Sequence, residues 1–183
     1  MLIPTEKECF EILKKSGSES LKDHSMRVMK IAVAVAKKLI NKGIEVDIPL
    51  VTAAALLHDV KKLDANICHA KEGGEFLRKN GMSKVASIVE KHALCNLNDS
   101  RFVPLTIEEK IVLYADLRAN PGKVVSLEAR FEYIKETYPT ADEELKKLYN
   151  FAKDIEIELI GEDTELGIEL EIQDTKKGEW FNG

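Results

Sequence analysis

Residues 51–63 have the sequence VTAAALLHDVKKL, in which an apolar run leads directly into a histidine, an aspartate and two lysines. Val51, Ala54 and His58 recur at helical spacing, so they share one face of a helix that is predicted to begin near Pro49. A histidine on a core-facing surface needs a polar partner or a ligand. The stretch therefore predicts a buried helix with polar chemistry at its carboxyl end.

The flanking sequence up to residue 160 predicts further helices, because glycine and proline are sparse and strong helix formers are common. The predicted helices cover about 5–15, 20–41, 49–63, 69–79, 83–92, 106–117, 126–138 and 141–159. We predict an all-α fold, a compact bundle of about seven to eight helices formed by residues 1–160 as one domain. Residues 161–183 are predicted to form a C-terminal tail, either disordered or with a short strand in GIELEI.

Composition limits the classes of function and location. A net charge of −5 over 183 residues gives no basic surface field, so we expect no large nucleic acid as a partner. Cys9, Cys68 and Cys95 lack CxxC spacing, which argues against a disulfide framework or a zinc knuckle and favours a reducing compartment. The sequence contains no 18-residue apolar run and no signal-peptide pattern, so we expect a cytoplasmic protein without membrane contact.

Several predicted helices each place one ionisable residue on the apolar face. His24, His92 and Asp116 occupy such positions in the second, fifth and sixth helices, as His58 does in the third. Asp59 adds a carboxylate beside His58. These faces carry no lysine or arginine as an obvious ion-pair partner, and buried charges are normally paired or bound to metal. A shared divalent cation is therefore the simplest explanation of the pattern.

In their order along the chain, His24, His58-Asp59 and Asp116 resemble the H…HD…D motif of HD-domain metal-dependent phosphohydrolases. The resemblance covers about residues 20–138 and is strongest at DHSMRV, LLHDVKK, HAKEGGEFL and EEKIVLYADLR. It implies an HD-domain-like bundle that cleaves phosphate mono- or diesters at one or two metal ions. The implied partner is a small phosphorylated substrate, a nucleotide in particular.

Two more histidines resemble those of the HD subgroup with a dinuclear centre, to which bacterial hydrolases of diadenosine tetraphosphate belong. They are His69, in HAKEGG, and His92, in EKHA. The resemblance implies that Asp59 bridges two ions and that the complete set of ligands is His24, His58, Asp59, His69, His92 and Asp116. Nitrogen and oxygen donors without thiolates suit Fe, Mn, Ni, Co or Zn.

The resemblance also implies roles in substrate binding and catalysis. Lys62 occupies the lysine position of the HDxxK form, where it would contact a substrate phosphate. Arg118 and Arg130 resemble positions in a further branch of HD proteins and could bind phosphate bidentately. In the implied mechanism a metal-activated water attacks phosphorus, Asp59 or Asp116 orients that water, and Lys62 neutralises the developing charge. Asp59 and Lys62 are thus the predicted catalytic residues.

Each of these residues also has an ordinary structural interpretation. A lone histidine on an apolar face is more often bonded to a backbone carbonyl, and Asp116 could pair with Arg27. His69 could be a surface residue, and Lys62 could be a solvated lysine. For the chain as a whole, two alternatives are a metal-containing nucleotide-binding or regulatory module without turnover and a helical interaction domain without metal.

Overall fold

The computed structural model describes residues 2–16, 18–64, 68–94, 97–137 and 142–161. Helices dominate these ranges, which confirms the predicted all-α class and the predicted number of helices. The α-helices are α1 Glu6–Ser16, α2 Glu19–Asn41, α3 Ile48–Leu57, α4 His69–Lys79, α5 Ser83–Val89, α6 Ile107–Leu117, α7 Leu127–Thr137 and α8 Asp142–Ile160.

The remaining regular elements are short. Residues Lys62–Asp64 and Ser100–Phe102 form 3₁₀ helices. Strands β1 Ala119–Asn120 and β2 Lys123–Val124 form an antiparallel hairpin. The predicted strand in GIELEI lies outside the described residues. None of the helices in the described part of the chain combines the length and apolarity that a bilayer crossing needs.

Side-chain caps account for the starts of two helices that carry the site. The Thr106 hydroxyl accepts a hydrogen bond from the Glu109 amide, and the Glu109 carboxylate accepts one from the Thr106 amide. This reciprocal capping box begins α6 where the sequence predicts it. The Asp47 carboxylate accepts a hydrogen bond from the Leu50 amide, and Pro49 lies in the first turn of α3, where its missing N–H costs nothing.

Helix α3 lies in the centre of the bundle. All of Ala53–Leu57 is buried, so this helix is covered on every side rather than on one face. It packs against α1, α2, α5 and α6, and its apolar side chains belong to one continuous core with Val35 and Leu113. The carboxyl end of α3, where His58 and Asp59 lie, is therefore in the interior of the protein.

The structure differs from the predicted pattern at two places near the site. Helix α5 ends at Val89 rather than at His92, so that His92 lies in the turn after the helix. After α6 the chain forms the β1–β2 hairpin, two short strands that the predicted pattern of helices does not include, and its turn contains Pro121 followed by Gly122 at φ 77°. Proline followed by a residue with positive φ is typical of a type II turn. Both departures bring polar side chains towards one end of the bundle.

Candidate metal centre

The predicted ligands come from five helices or from the residues that follow them. The sequence predicts ligands on the helices that correspond to α2, α3, α5 and α6 and, with His69, at the start of α4. His24 lies on α2 and Asp116 on α6, His69 begins α4, His58 caps α3 with Asp59 after it, and His92 follows α5.

The cluster extends from the core to the surface. His58 and Asp59 are fully buried, and His92 is almost fully buried. The side chains of His24, Asp116 and His69 retain 18%, 17% and 27% of their exposure. Ligands from the interior therefore meet ligands that a solute can reach.

Asp59 lies between two groups of histidines. Its Oδ2 is 3.2 Å from His58 Nε2 and 3.6 Å from His24 Nε2. Its Oδ1 is 3.2 Å from His69 Nε2 and 3.6 Å from His92 Nε2. Each carboxylate oxygen thus faces a different histidine pair, which is the arrangement that a bridging carboxylate requires.

Asp116 completes the first of these groups. Its Oδ1 is 2.9 Å from His24 Nε2 and 3.5 Å from His58 Nε2. The alternative in which Asp116 pairs with Arg27 finds no support, because the contacts of this carboxylate are with imidazole nitrogens. The first group therefore contains two imidazoles and two carboxylates.

Backbone carbonyls orient two of the rings. His58 Nδ1 donates to the Ala55 carbonyl at 2.8 Å, and His92 Nδ1 donates to the Val89 carbonyl at 2.6 Å. Since a carbonyl can only accept, Nδ1 carries a proton, and a neutral ring then presents the Nε2 lone pair to Asp59 and its neighbours. Histidines that bind metals are typically held in this way.

The spacing of the donors fits metal ions. The Nε2 atoms of His24 and His58 are 3.2 Å apart, and those of His69 and His92 are 3.3 Å apart. Two nitrogens bound to one ion at about 2.1 Å lie about 3.0–3.4 Å apart at bond angles of about 90–110°. Asp59 Oδ1 is buried without a hydrogen bond of acceptable geometry to a described residue. These groups could hold a divalent metal.

Charge within the cluster also favours a cation. Burial disfavours the charged form of His58, but the carboxylates of Asp59 and Asp116 outweigh this effect and raise its pKa to about 10. Burial likewise opposes ionisation of both aspartates, yet contacts with histidines hold the pKa of each well below its usual range. Burial lowers the pKa of His92. Without a metal ion the cluster must therefore take up a proton, which a divalent cation would displace.

A pocket of about 510 Å³ opens beside the first ligand group. Lys62 lies at its edge, with Nζ 2.5 Å from Asp59 Oδ2 and with 45% of its side chain exposed. The sequence-based role of Lys62 in phosphate contact remains a prediction. We call this cavity the mouth pocket; its lining includes His24, Arg27, Lys62, Pro121, Arg130 and Tyr133.

The two predicted phosphate-binding arginines lie in different places. Arg130 lines the mouth pocket, whereas Arg118 is fully buried. Arg118 Nη1 is 3.2 Å from Glu156 Oε1, and its guanidinium also donates to the Val125 carbonyl and to the Tyr114 hydroxyl. A phosphate role for Arg118 does not fit this placement. The physical reason is helical geometry, because two residues after Asp116 correspond to about 200° of rotation away from the metal centre.

Sequence reasoning missed Arg27 and Tyr133 as residues of the pocket. Arg27 follows His24 by three positions, and this i, i+3 spacing could have placed it beside the site. Tyr133 carries no comparable signal and reaches the region only because the β1–β2 hairpin returns the chain to α7. Asn120 begins the NPGK turn, which the sequence predicts to shape the pocket, but its contact with Arg130 has no sequence signal.

Comparison with known proteins yields relatives that cover most of the chain. A tRNA (cytidine(56)-2′-O)-methyltransferase of Thermoplasma volcanium is 37% identical over 88% of this chain and 49% of its own length. A protein of the same name from Picrophilus torridus is 32% identical over 80% of this chain and 46% of its own. An uncharacterised protein of Methanocaldococcus jannaschii is 35% identical over 60% and 72%. The chain thus spans about half the length of the two methyltransferases.

These names correct the reaction implied by the motif resemblance. The sequence predicts a metal-dependent phosphohydrolase, whereas the two relatives that match four fifths or more of the chain are named as methyltransferases. These names are those of enzymes, but they do not support a hydrolase. The same names include tRNA, so the expectation that large nucleic acids play no part is also not supported.

One further comparison gives a structural neighbour, and another, with a family model, identifies the family. A solved structure of a predicted HD superfamily hydrolase from an uncultured Thermotogales bacterium matches with a TM-score of 0.47 and 21% identity, over 82% of this chain and 88% of that one. The model of the HD domain matches residues 21–120, more than half of the chain and the segment that contains every predicted ligand. The chain therefore belongs to the HD-domain family.

Proposed function

We propose that this chain is an HD domain that binds two divalent metal ions, binds tRNA at that metal centre and supports 2′-O-methylation of tRNA. The observation that carries the proposal is the position of Asp59, whose two oxygens each face a separate pair of histidines. A single buried carboxylate in this position suits a bridge between two cations. Without cations, it would leave several imidazole lone pairs and carboxylate oxygens facing one another.

The proposal assigns a ligand set to each ion. His24, His58, Asp59 and Asp116 would hold one ion, and Asp59, His69 and His92 would hold the other. The set of nitrogen and oxygen donors suits Mn, Fe, Co, Ni or Zn, and the metals supply Lewis-acidic positive charge for binding phosphate oxygens.

The tRNA component rests on the names of the relatives and on local charge. A net charge of −5 makes the whole surface a poor binder of nucleic acid, so contact with RNA must be confined to a site with its own positive charge. Bound metal ions are usually the largest local charges in such a site. Lys62, Arg27 and Arg130 add cations at the mouth pocket.

The metal component is tested by elemental analysis after reconstitution with Mn or Zn. We expect about two ions per chain for the wild type and a loss of at least one in Asp59→Asn, which keeps the side-chain shape but removes the charge. Asp99→Asn is the matched control, because Asp99 pairs with Arg101 on the surface and contacts none of the ligands. Fewer than one ion per wild-type chain, or unchanged content in Asp59→Asn, contradicts the proposal.

The RNA component is tested by fluorescence anisotropy with an unmodified tRNA transcript and by nucleoside analysis. We expect metal-loaded protein to bind the transcript at least about tenfold more tightly than protein in chelator, a difference of about 1.4 kcal/mol. In cells that carry Asp59→Asn, mass spectrometry should find less 2′-O-methylcytidine in tRNA than in cells that carry Asp99→Asn. Metal-independent binding or an unchanged level of methylation overturns this component.

A further inference from the structure

The mouth pocket contains more positive charge than one metal-bound phosphate requires. Besides Lys62, whose amine contacts Asp59, two arginines line the pocket, Arg27 from α2 and Arg130 from α7. Asp23, an acidic residue of the same lining, is exposed at the rim. The pocket therefore has a cationic wall separate from the metal ligands.

Arg130 is held in place by its neighbours. Its Nη1 donates to Asn120 Oδ1 at 2.8 Å, and Asn120 is 94% buried. The guanidinium lies over the Tyr133 ring at 5.7 Å from the centroid, a geometry that suits a cation–π contact. Its Nε is buried without a hydrogen bond to a described residue. The side chain is thus oriented by two contacts and retains donors for a ligand.

Arg27 lines the same pocket from α2. It lies three residues after His24, hence on the same side of α2 as that predicted ligand. It is half-buried and forms no hydrogen bond or ion pair with another residue in the described ranges. A half-buried guanidinium without an anionic partner is typical of a binding position rather than of a stabilising ion pair.

We propose that Arg27 and Arg130 form a second phosphate subsite beside the metal centre, oriented by Asn120 and Tyr133. The subsite holds the neighbouring phosphate of an RNA strand whose first phosphate lies at the metal ions, so this inference rests on the proposed function. Guanidinium groups match phosphate oxygens in a bidentate geometry that an ammonium group cannot offer. The pocket volume of about 510 Å³ falls in the range of small-ligand sites and suits a short single-stranded segment rather than a duplex.

The test compares two ligands that differ by one phosphate. Metal-loaded protein is titrated calorimetrically with 5′-phosphorylated uridine, pU, and with the dinucleotide pUpU. We expect the wild type to prefer pUpU by at least about tenfold, about 1.4 kcal/mol. Arg130→Gln and Arg27→Gln should each reduce this preference to about twofold or less, because the second phosphate then loses a guanidinium partner. Arg27→Gln serves as the second variant because Arg27 has no structural bond to lose.

Arg101→Gln is the matched control, since Arg101 is an exposed arginine that pairs with Asp99 outside the pocket. It should leave both affinities unchanged. If the wild type binds pU and pUpU equally, or if both pocket variants keep the wild-type preference, the subsite does not exist. This failure is distinguishable from failure of the proposed function, in which the wild type lacks metal or does not bind the tRNA transcript at all.

Discussion

Helix α6 separates two buried polar clusters that balance the negative charge of buried acids in different ways. On one side Asp116 joins the candidate metal centre, where carboxylates and imidazole nitrogens face one another and Lys62 lies at the edge. On the other side Arg118 meets Glu156 and Tyr114, so the cation is a side chain of the protein. A buried acid thus indicates a metal only where the fold supplies no internal cation.

The largest expected effect concerns the cluster with the internal cation. Arg118→Met removes the buried cationic partner of Glu156, which is 98% buried, but Lys153 Nζ stays 2.7 Å from Glu156 Oε2. The expected loss is therefore about 3 kcal/mol of unfolding free energy, the lower end of the range for breaking a buried ion pair. Urea denaturation of the metal-free protein measures this change. The double variant Arg118→Met with Glu156→Met should recover part of the loss, because it removes both charges. If the unfolding free energy of Arg118→Met lies within about 1 kcal/mol of the wild-type value, Arg118 does not balance the buried charge of Glu156 in the way that a metal ion would.

Removal of metal from the cluster around Asp59 and Asp116 should destabilise the protein. With free metal at about 100 times its dissociation constant, binding to the folded state alone adds about 2.7 kcal/mol to the unfolding free energy. Denaturation with and without chelator measures the difference, which should vanish in Asp59→Asn but persist in Arg118→Met. If chelator leaves the unfolding free energy of the wild type unchanged, or lowers that of Asp59→Asn by the same amount, no metal is bound at this site.

The pH dependence should also distinguish the clusters once the metal is removed. The pKa of His58 is raised from 6.5 to about 10, so its contribution is complete below pH 6.5 and is lost as the pH rises through about 10. The pKa values of Asp59 and Asp116 are lowered, so their contributions are complete above about pH 3.8 and are lost as the pH falls. The pKa of His92 is lowered, so its contribution is lost as the pH falls below 6.5. Metal-free protein should therefore be most stable near pH 6.5.

Denaturation in chelator at pH 6, 7.5 and 9 tests this expectation. The unfolding free energy should fall with rising pH by up to about 1.4 kcal/mol per unit, the limit for one proton. His58→Gln should remove most of the slope. Metal affinity should change in the opposite direction, because binding releases the proton from the imidazole. A metal-free protein that gains stability between pH 6.5 and 9 would rule out His58 as the group that titrates.

The sequence predicts the bundle well because helical periodicity and capping are local signals. Thr106 and Glu109 specify the start of α6 through contacts three residues apart, and His24 and Asp116 stand out because they interrupt apolar faces. Helical periodicity could have placed Arg118 on the side of α6 opposite Asp116, but no local signal shows that this opposite side is buried. Arg118 follows Asp116 by two positions and resembles a ligand in the sequence, yet it turns into the core towards Glu156.

The pattern of predicted metal ligands also does not determine the reaction. His24, His58, Asp59 and Asp116 could hold a cation, but a cation is compatible with many reactions, so the resemblance to phosphohydrolases gave the wrong class. The residues that would select a ligand lie elsewhere. Asn120 reaches Arg130 only through the hairpin that follows α6, and this contact spans ten residues without any periodic signal.

The smallest expected effect tests whether the start of α6 is independent of the polar clusters at its end. Thr106→Ala removes a capping-box hydroxyl and should cost about 1 kcal/mol of unfolding free energy. Thr5→Ala is the matched control, since Thr5 and Glu8 form equivalent hydrogen bonds at the start of α1, which carries no ligand. Both variants should keep full metal content, because the last turn of α6 is fixed by packing against α2, α3 and α8 rather than by its cap. Loss of metal in Thr106→Ala but not in Thr5→Ala would mean that fraying at the amino end of α6 reaches Asp116, and the two ends would then have to be treated as one cooperative unit.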